Sequence, residues 1–248
     1  MKVLGIIPAR YASSRFPGKP LIEINGKSMI QRVYEQASKS DSLDKVIVAT
    51  DDDRIKHAVE AFDGNVMLTS ENHKSGTDRC NEVIESLSLE NHFFDVVVNI
   101  QGDEPYINPT QINQVVSCFS DLGVEIATLA KRITTQEELF NSNINKVIFD
   151  KTKNAIYFSR HPIPFQQNEP KKNWLNKFDY FKHIGIYAYQ TETLEKITKL
   201  QRSKLEIAES LEQLRWLENG YKIRVMETDY ESIAVDTPED LSKFLNIS

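Results

Sequence analysis

The residues best suited to chemistry fall in three places. Arg10, Arg15 and Lys19 lie within "PARYASSRFPGKP", on one loop that also holds two serines and Gly18. Guanidinium and ammonium groups beside loop amides suit a polyphosphate, because such groups make charge-assisted hydrogen bonds to phosphate oxygens. Charge alone is equally consistent with a solvated loop of scattered cations. The loop is neither a Walker P-loop, lacking G-K-[ST] after a spaced glycine, nor a G-x-G-x-x-G fingerprint. Asp103 and Glu104 close the run "VVVNIQGDEP". A carboxylate at such a strand end, facing phosphates, is placed as a hard oxygen ligand for Mg2+, and Asp103 takes that role with Glu104 in support. The competing reading is an acidic turn that caps the next helix. Asp236 in "AVDTPEDL" is by itself an N-cap. Brought beside Asp103, it would complete a two-carboxylate Mg2+ site.

These loops need elements to hold them. "KVLGIIP", "KVIVAT", "NVMLTS", "DVVVNI" and "VEIATLAKRI" are short apolar runs that predict buried strands. Between them, "SMIQRVYEQASKS" (N-cap Ser28), "DRIKHAVEAF", "SGTDRCNEVIESL" and "TQINQVVSCF" carry apolar residues at helical spacing. Alternation of strand and helix predicts a parallel sheet covered on both faces, with ligands at the carboxyl ends of its strands. Arg10 to Lys19, Asp51 to Asp53 and Gln101 to Glu104 all fall at such ends. The later part reads differently. "NKVIFDKTKNAIYFSRHPIPF" predicts two strands joined by a turn, and "QQNEPKKNWLNKFD" a mobile polar loop. "YFKHIGIYAYQ" is a strand, and "KLEIAESLEQLRWLENG" one helix stopped by Gly220. "KIRVMET" and "SIAV" are strands, and "DTPEDLSKFLNI" is a capped terminal helix.

The totals bound the rest. With 248 residues, 40% hydrophobic and 27% charged, the chain can bury a sizeable core as one domain with a smaller lobe. A formal net charge of -6 argues against a general nucleic-acid or membrane-surface binder. Cys80 and Cys118 fall in no metal-binding spacing, which predicts buried reduced thiols rather than zinc or redox chemistry. No signal pattern and no spanning apolar run is present, so the expectation is a soluble cytoplasmic protein.

Further polar residues stand in the later strands and helices. "FSRHPIP" and "YFKHIGIYAY" supply Arg160, His161, His183 and Tyr187, and "SLEQLR" supplies Glu212 and Gln213. Arginine suits bidentate capture of a substrate carboxylate. A lone histidine is more often a structural hydrogen-bonding group, and an amphipathic helix exposes glutamates by default.

Seven stretches in order, "IIPARYASSRFPGKPL", "HKSGTDR", "VNIQGDEP", "YFSR", "HIGIYAY", "LEQLR" and "VDTPEDL", resemble the 3-deoxy-manno-octulosonate (Kdo) cytidylyltransferase family over essentially the whole chain. The "PAR-x-x-S-x-R-x-P-G-K-P-L" form differs from the glycine-rich loop of hexose-1-phosphate nucleotidyltransferases and from that of CMP-sialate synthetases. The resemblance implies an α/β, Rossmann-like nucleotidyltransferase fold with a mostly parallel central sheet and a smaller α+β lobe used in homodimerisation. On that division, residues 1–130 form the nucleotide-binding core, about 131–222 the sugar-binding lobe, and 223–248 return to the core.

The resemblance also implies the reaction CTP + Kdo → CMP-Kdo + pyrophosphate, Mg2+-dependent and serving lipopolysaccharide synthesis. Arg10, Arg15 and Lys19 would hold the triphosphate, with Ala9 at the base of the loop. Ser75, Gly76, Thr77 and Arg79 would line the cytosine and ribose pocket. Asp103 and Asp236 would ligate Mg2+. Gln101, Arg160, His183, Tyr187, Glu212 and Gln213 would face the sugar acid, with Arg160 on its carboxylate. One stretch departs from the family pattern P-L-E-x-x-E: here Lys204 replaces the proline, and Ile207-Ala208 follow Glu206. An 8-amino relative of Kdo, or sialate, is the alternative substrate.

Overall fold

Chain order fixes most of the architecture. The structure, a computed structural model, describes residues 1–12, 16–231, 233–235, 237 and 239–241. It begins with β1 (Val3–Ala9), a small hairpin of β2 (Glu23–Ile24) and β3 (Lys27–Ser28), α1 (Met29–Ala37), β4 (Lys45–Thr50) and α2 (Asp53–Glu60). Next come β5 (Val66–Leu68), α3 (Gly76–Leu89), β6 (Val96–Asn99), α4 (Pro109–Ser117) and β7 (Ile126–Arg132). The later part contains α5 (Gln136–Phe140), β8 (Lys146–Phe149), β9 (Ala155–Ser159), α6 (Trp174–Lys177) and β10 (Phe181–Gln190). Last come α7 (Thr191–Ile197), α8 (Lys204–Glu209), α9 (Gln213–Glu218) and β11 (Ile223–Glu227).

The main sheet runs β11-β7-β10-β6-β1-β4-β5. β1 pairs in parallel with β4 and β6, β4 with β5, and β7 with β11. Within this path β10 opposes its neighbours β6 and β7, and off the path β8 pairs antiparallel with β10 and β9 with β8. The sheet is therefore mostly parallel, with the apolar strands buried between helices. One core layer joins Ile7, Ile30, Val33, Val59, Val98, Ile112 and Ala188. The other joins Leu4, Ile6, Val83, Val97, Tyr189, Leu194 and Trp216. The Ser28 cap read from sequence is formed, its hydroxyl accepting from the Gln31 amide at 3.3 Å, and Asp52 caps α2 by accepting from the Arg54 amide at 2.9 Å.

Four expectations are corrected. "QQNEPKKNWLNKFD" is not an open loop. It folds into α6 around Trp174, which is 1% exposed and packs with Ile133, Leu139 and Tyr180. The indole Nε1 donates to the Glu169 carbonyl at 2.9 Å, and Gln166 Nε2 reaches both the Trp174 carbonyl and the Tyr180 hydroxyl at 3.0 Å. Burial of one large aromatic outweighs the polar composition around it. The helix expected over "KLEIAESLEQLRWLENG" is two helices, because Ser210 turns left-handed at φ 53° and separates α8 from α9. Residues 233–235 of "SIAV" form no strand; Val235 instead donates its amide to the Asp103 carbonyl at 2.9 Å. The segment 131–222 is not confined to a lobe: it supplies β10, which lies between β6 and β7. In contrast, Cys80 and Cys118 are both buried free thiols.

Candidate active site

The end of β1 and the loop after β6 meet at Pro8. Gly102 sits so close that a Cβ there would lie 2.7 Å from the Pro8 carbonyl oxygen. Gly76 packs on the other side of the same proline, where a Cβ would lie 3.3 Å from Pro8 Cγ. Two small residues thus bring the start of α3 and the end of β6 onto one point. Ser75 caps α3 in a reciprocal box: its hydroxyl accepts from the Asp78 amide at 3.1 Å and Asp78 accepts from the Ser75 amide at 3.2 Å. The free amides of this helix start and its dipole favour negative charge.

A cavity of about 210 Å³ opens at this junction, lined by Pro8, Gly76, Thr77, Asn99, Gln101, Tyr187, Tyr189 and Glu212. Gln101 is held by its own amide, which donates to the Gly185 carbonyl at 3.0 Å. Gly185 lies where the β10–β7 register shifts between Ile184 and Tyr187, and that irregularity re-aims the strand at the cavity. Glu212, ahead of α9, accepts from the Thr77 hydroxyl at 2.8 Å and from Arg215 Nη2 at 3.2 Å. Burial raises its pKa, while the Thr77 hydrogen bond and the Arg215 charge oppose the rise.

The cationic loop is anchored by Gly18, whose φ of 72° is strained for any other residue and where a Cβ would lie 3.1 Å from the Tyr11 ring. Lys19 follows, and its Nζ donates to Asp103 Oδ2 at 2.8 Å. This pair joins the first and second chemical clusters of the sequence. Arg10 is exposed at the end of β1, and Ala9 is buried beneath it. Arg15 and Asp236 lie outside the described residues.

The structure therefore gathers Gly76, Thr77, Gln101, Tyr187 and Glu212 around one cavity. It leaves other expected residues out of that lining. Arg79 is 1% exposed, with its guanidinium on Asp51 at 2.8 Å and on the Thr69 hydroxyl. Arg160 spends its guanidinium on main-chain carbonyls, 2.7 Å from Glu209, 3.3 Å from Ser142 and 3.4 Å from Ser210. The His183 ring hydrogen-bonds the Thr128 hydroxyl at 2.9 Å and packs edge-on against Phe158. Burial pushes its pKa down to about 3, so it is neutral near pH 7 and cannot pair with a carboxylate as a cation. Gln213 is buried at the start of α9.

Three lining residues were not anticipated. Tyr189 follows Tyr187 by two on a strand, and that period puts both on one face. Their rings stack at 6.0 Å. Asn99 stands opposite Tyr187 in the β6–β10 register, which only the pairing reveals. Pro8 closes the strand from which the cationic loop departs.

Comparison with known proteins follows this geometry. The cytidylyltransferase family model matches residues 4–223. A 3-deoxy-manno-octulosonate cytidylyltransferase of Bacteroides thetaiotaomicron is 58% identical over 244 residues, 97% of this chain and 96% of that protein. The chain belongs to the 3-deoxy-manno-octulosonate cytidylyltransferase family. A relative from Cytophaga hutchinsonii with the same name is 51% identical, covering 100% of this chain and 98% of its own. An 8-amino-3,8-dideoxy-manno-octulosonate cytidylyltransferase of Shewanella frigidimarina is 49% identical, covering 98% and 97%. Among solved structures, a CMP:2-keto-3-deoxy-manno-octonic acid synthetase complexed with CTP superposes with a TM-score of 0.89 at 42% identity, covering 98% of this chain and 96% of that one. The mostly parallel sheet is the fold shared with that synthetase structure.

Proposed function

We propose that the protein transfers CMP from CTP to the anomeric hydroxyl of Kdo, releasing pyrophosphate. The observation that carries this reading is the cavity at Pro8. It joins the capped start of α3, at Gly76 and Thr77, to Gln101, Tyr187 and Glu212, with the Lys19–Asp103 pair two residues along from Gln101. The nucleotide and the sugar acid thereby share one wall, as an in-line displacement requires.

In this reaction a bond forms from the sugar oxygen to the α-phosphorus while the bond from that phosphorus to the bridging oxygen breaks. The hydroxyl proton passes to solvent as the pyrophosphate departs. Arg10, Arg15 and Lys19 neutralise the triphosphate and the departing pyrophosphate. Gln101, Tyr187 and Glu212 orient the sugar. Thr77, hydrogen-bonded to Glu212, ties the nucleotide wall to the sugar wall.

Asp103 suits a Mg2+ ligand, being a partly exposed carboxylate already facing a cation, Lys19. The Val235 amide on the Asp103 carbonyl carries the chain to this point one residue before Asp236. Asp103 and Asp236 would hold Mg2+, which when bound polarises the α-phosphate. Homodimerisation through the lobe, a cytoplasmic location and a role in lipopolysaccharide synthesis belong to the same proposal. Among the described residues, no helix is long and apolar enough to cross a membrane.

Pyrophosphate release with CTP plus Kdo, its 8-amino analogue or sialate tests the reading. The expected result is fastest release with Kdo, lost in Asp103→Asn with the thermal unfolding profile retained. Release with sialate alone, or full activity of Asp103→Asn with Mg2+ present, overturns it.

A further inference from the structure

Glu212 does not hold its own position. It precedes α9 and its carboxylate is fixed from both sides, by Thr77 Oγ1 at 2.8 Å and by Arg215 Nη2 at 3.2 Å. Arg215 is 8% exposed. Its guanidinium is gripped in a two-point fork by Glu206, Nε to Oε2 and Nη2 to Oε1, each at 3.0 Å. Nη1 donates to the Leu200 carbonyl at 3.2 Å. Glu206 is itself 5% exposed, and its carboxylate also closes the capping box of α8 with Ser203. The planar fork thus ties the start of α8 to the carboxylate in front of α9, across the left-handed break at Ser210.

A second, larger hollow of about 560 Å³ runs behind this pair, and Ser75, Asp78, Arg202, Glu206, Glu212 and Arg215 are among its lining residues. Glu212 lines both cavities. Without a tether, its side chain has room to swing backwards, away from Gln101 and Tyr187.

We propose that Arg215, clamped by Glu206, is a positioning residue that holds the Glu212 carboxylate toward the substrate cavity. The inference rests on the cytidylyltransferase reading of that cavity. The groups facing Glu212 are Asp78 and Cys80 on α3, Tyr187 and Tyr189 on β10, Glu206 on α8 and Arg215 on α9. Lys74 and Arg202 also line the hollow behind it, and Arg215 is the cation hydrogen-bonded to the Glu212 carboxylate. Asp78, like burial, favours a protonated Glu212.

The test measures pyrophosphate release over a pH series, varying CTP and Kdo separately, for wild type, Glu206→Gln and the double variant Glu206→Gln/Arg215→Met. The double variant removes the buried charges of Glu206 and Arg215 together, so Glu206 is not left behind as an unpaired buried carboxylate. Its KM for Kdo should rise roughly tenfold to a hundredfold with a much smaller change for CTP, and its acid limb should move up by about a pH unit. Glu206→Gln leaves Arg215 with Glu212 as its remaining carboxylate at hydrogen-bond distance on that side, so its acid limb should move down. Opposite shifts in the two variants are a signature that plain loss of packing does not produce. Acid limbs that stay put, or KM values for both substrates that rise together in step with a lower melting temperature, overturn the proposal. A wild type inactive with CTP and Kdo refutes the underlying reading instead.

Discussion

Gly102→Ala is the most direct test of how the site is assembled. The added Cβ would meet the Pro8 carbonyl oxygen at 2.7 Å, whereas ordinary contact begins at 3.4 Å, so the end of β1 and the loop after β6 must part by about 0.7 Å. The obstacle is main chain and cannot rotate aside. Pro8 also touches Gly76, so the displacement passes to the start of α3. Overpacking of this kind costs about 1–3 kcal/mol, which lowers the melting temperature by roughly 2–10 °C for a chain of this size. Catalysis should suffer more, because misplacement by a fraction of an ångström between reacting groups costs about tenfold to a hundredfold in kcat/KM. Gly5→Ala is the matched control. Its Cβ also meets an atom at 2.7 Å, but that atom is the end of the Leu43 side chain, which can move, and Gly5 lies toward the other end of β1. It should lower the melting temperature slightly and leave kcat/KM unchanged. Pyrophosphate release and thermal unfolding of both variants decide the matter. Wild-type kcat/KM in Gly102→Ala, or an equal loss in Gly5→Ala, would refute the reasoning.

Two further outcomes are expected. Trp174→Ala should destabilise the chain by about 3–5 kcal/mol, read by urea unfolding; a cost near zero would return residues 166–178 to the status of an unpacked loop. His183 has a folded-state pKa lowered from 6.5 to about 3. The unfolded chain therefore takes up its proton first, and the stability from neutral His183 is complete above the unfolded value and drains away as pH falls toward 3. Between about pH 7 and pH 5 that loss is on the order of 2 kcal/mol. Urea midpoints at the two pH values should converge in His183→Gln, and an unchanged slope would show that other groups carry the acid sensitivity.

The strands and helices up to β7 were legible because each apolar run is short, capped and separated by turn residues. The Ser28 cap appears where its side chain predicts. The later part was harder for specific reasons. The break at Ser210 carries no glycine or proline: a serine adopts the left-handed conformation there, beside Glu209, whose carboxylate accepts from Ser159 and Arg160. The polar segment around Trp174 hides a buried anchor that only tertiary contacts expose. At the site, residue types showed which groups suit phosphate and sugar acid. They could not show that Arg79 faces Asp51 or that the Arg160 guanidinium lies on carbonyls, because such partners are set by strand order. Glu212 was legible as a member of "SLEQLR"; its clamp through Arg215 and Glu206 was not, since it needs the fold of α8 back onto α9.

The antiparallel strand β10 also has a consequence for synthesis of the chain. Residues 181–190 enter the sheet between β6 and β7, strands that are translated well before them. A nascent chain that has emerged only as far as residue 132 has the neighbouring strands β6 and β7 but nothing to place between them. Each then presents an unpaired, apolar edge of the kind that invites pairing with another chain. The sheet is sealed only when the ribosome has released β10, and β11 must still follow to cover β7. Truncation after the first half should therefore yield not a small nucleotide-binding domain but an open, adhesive sheet.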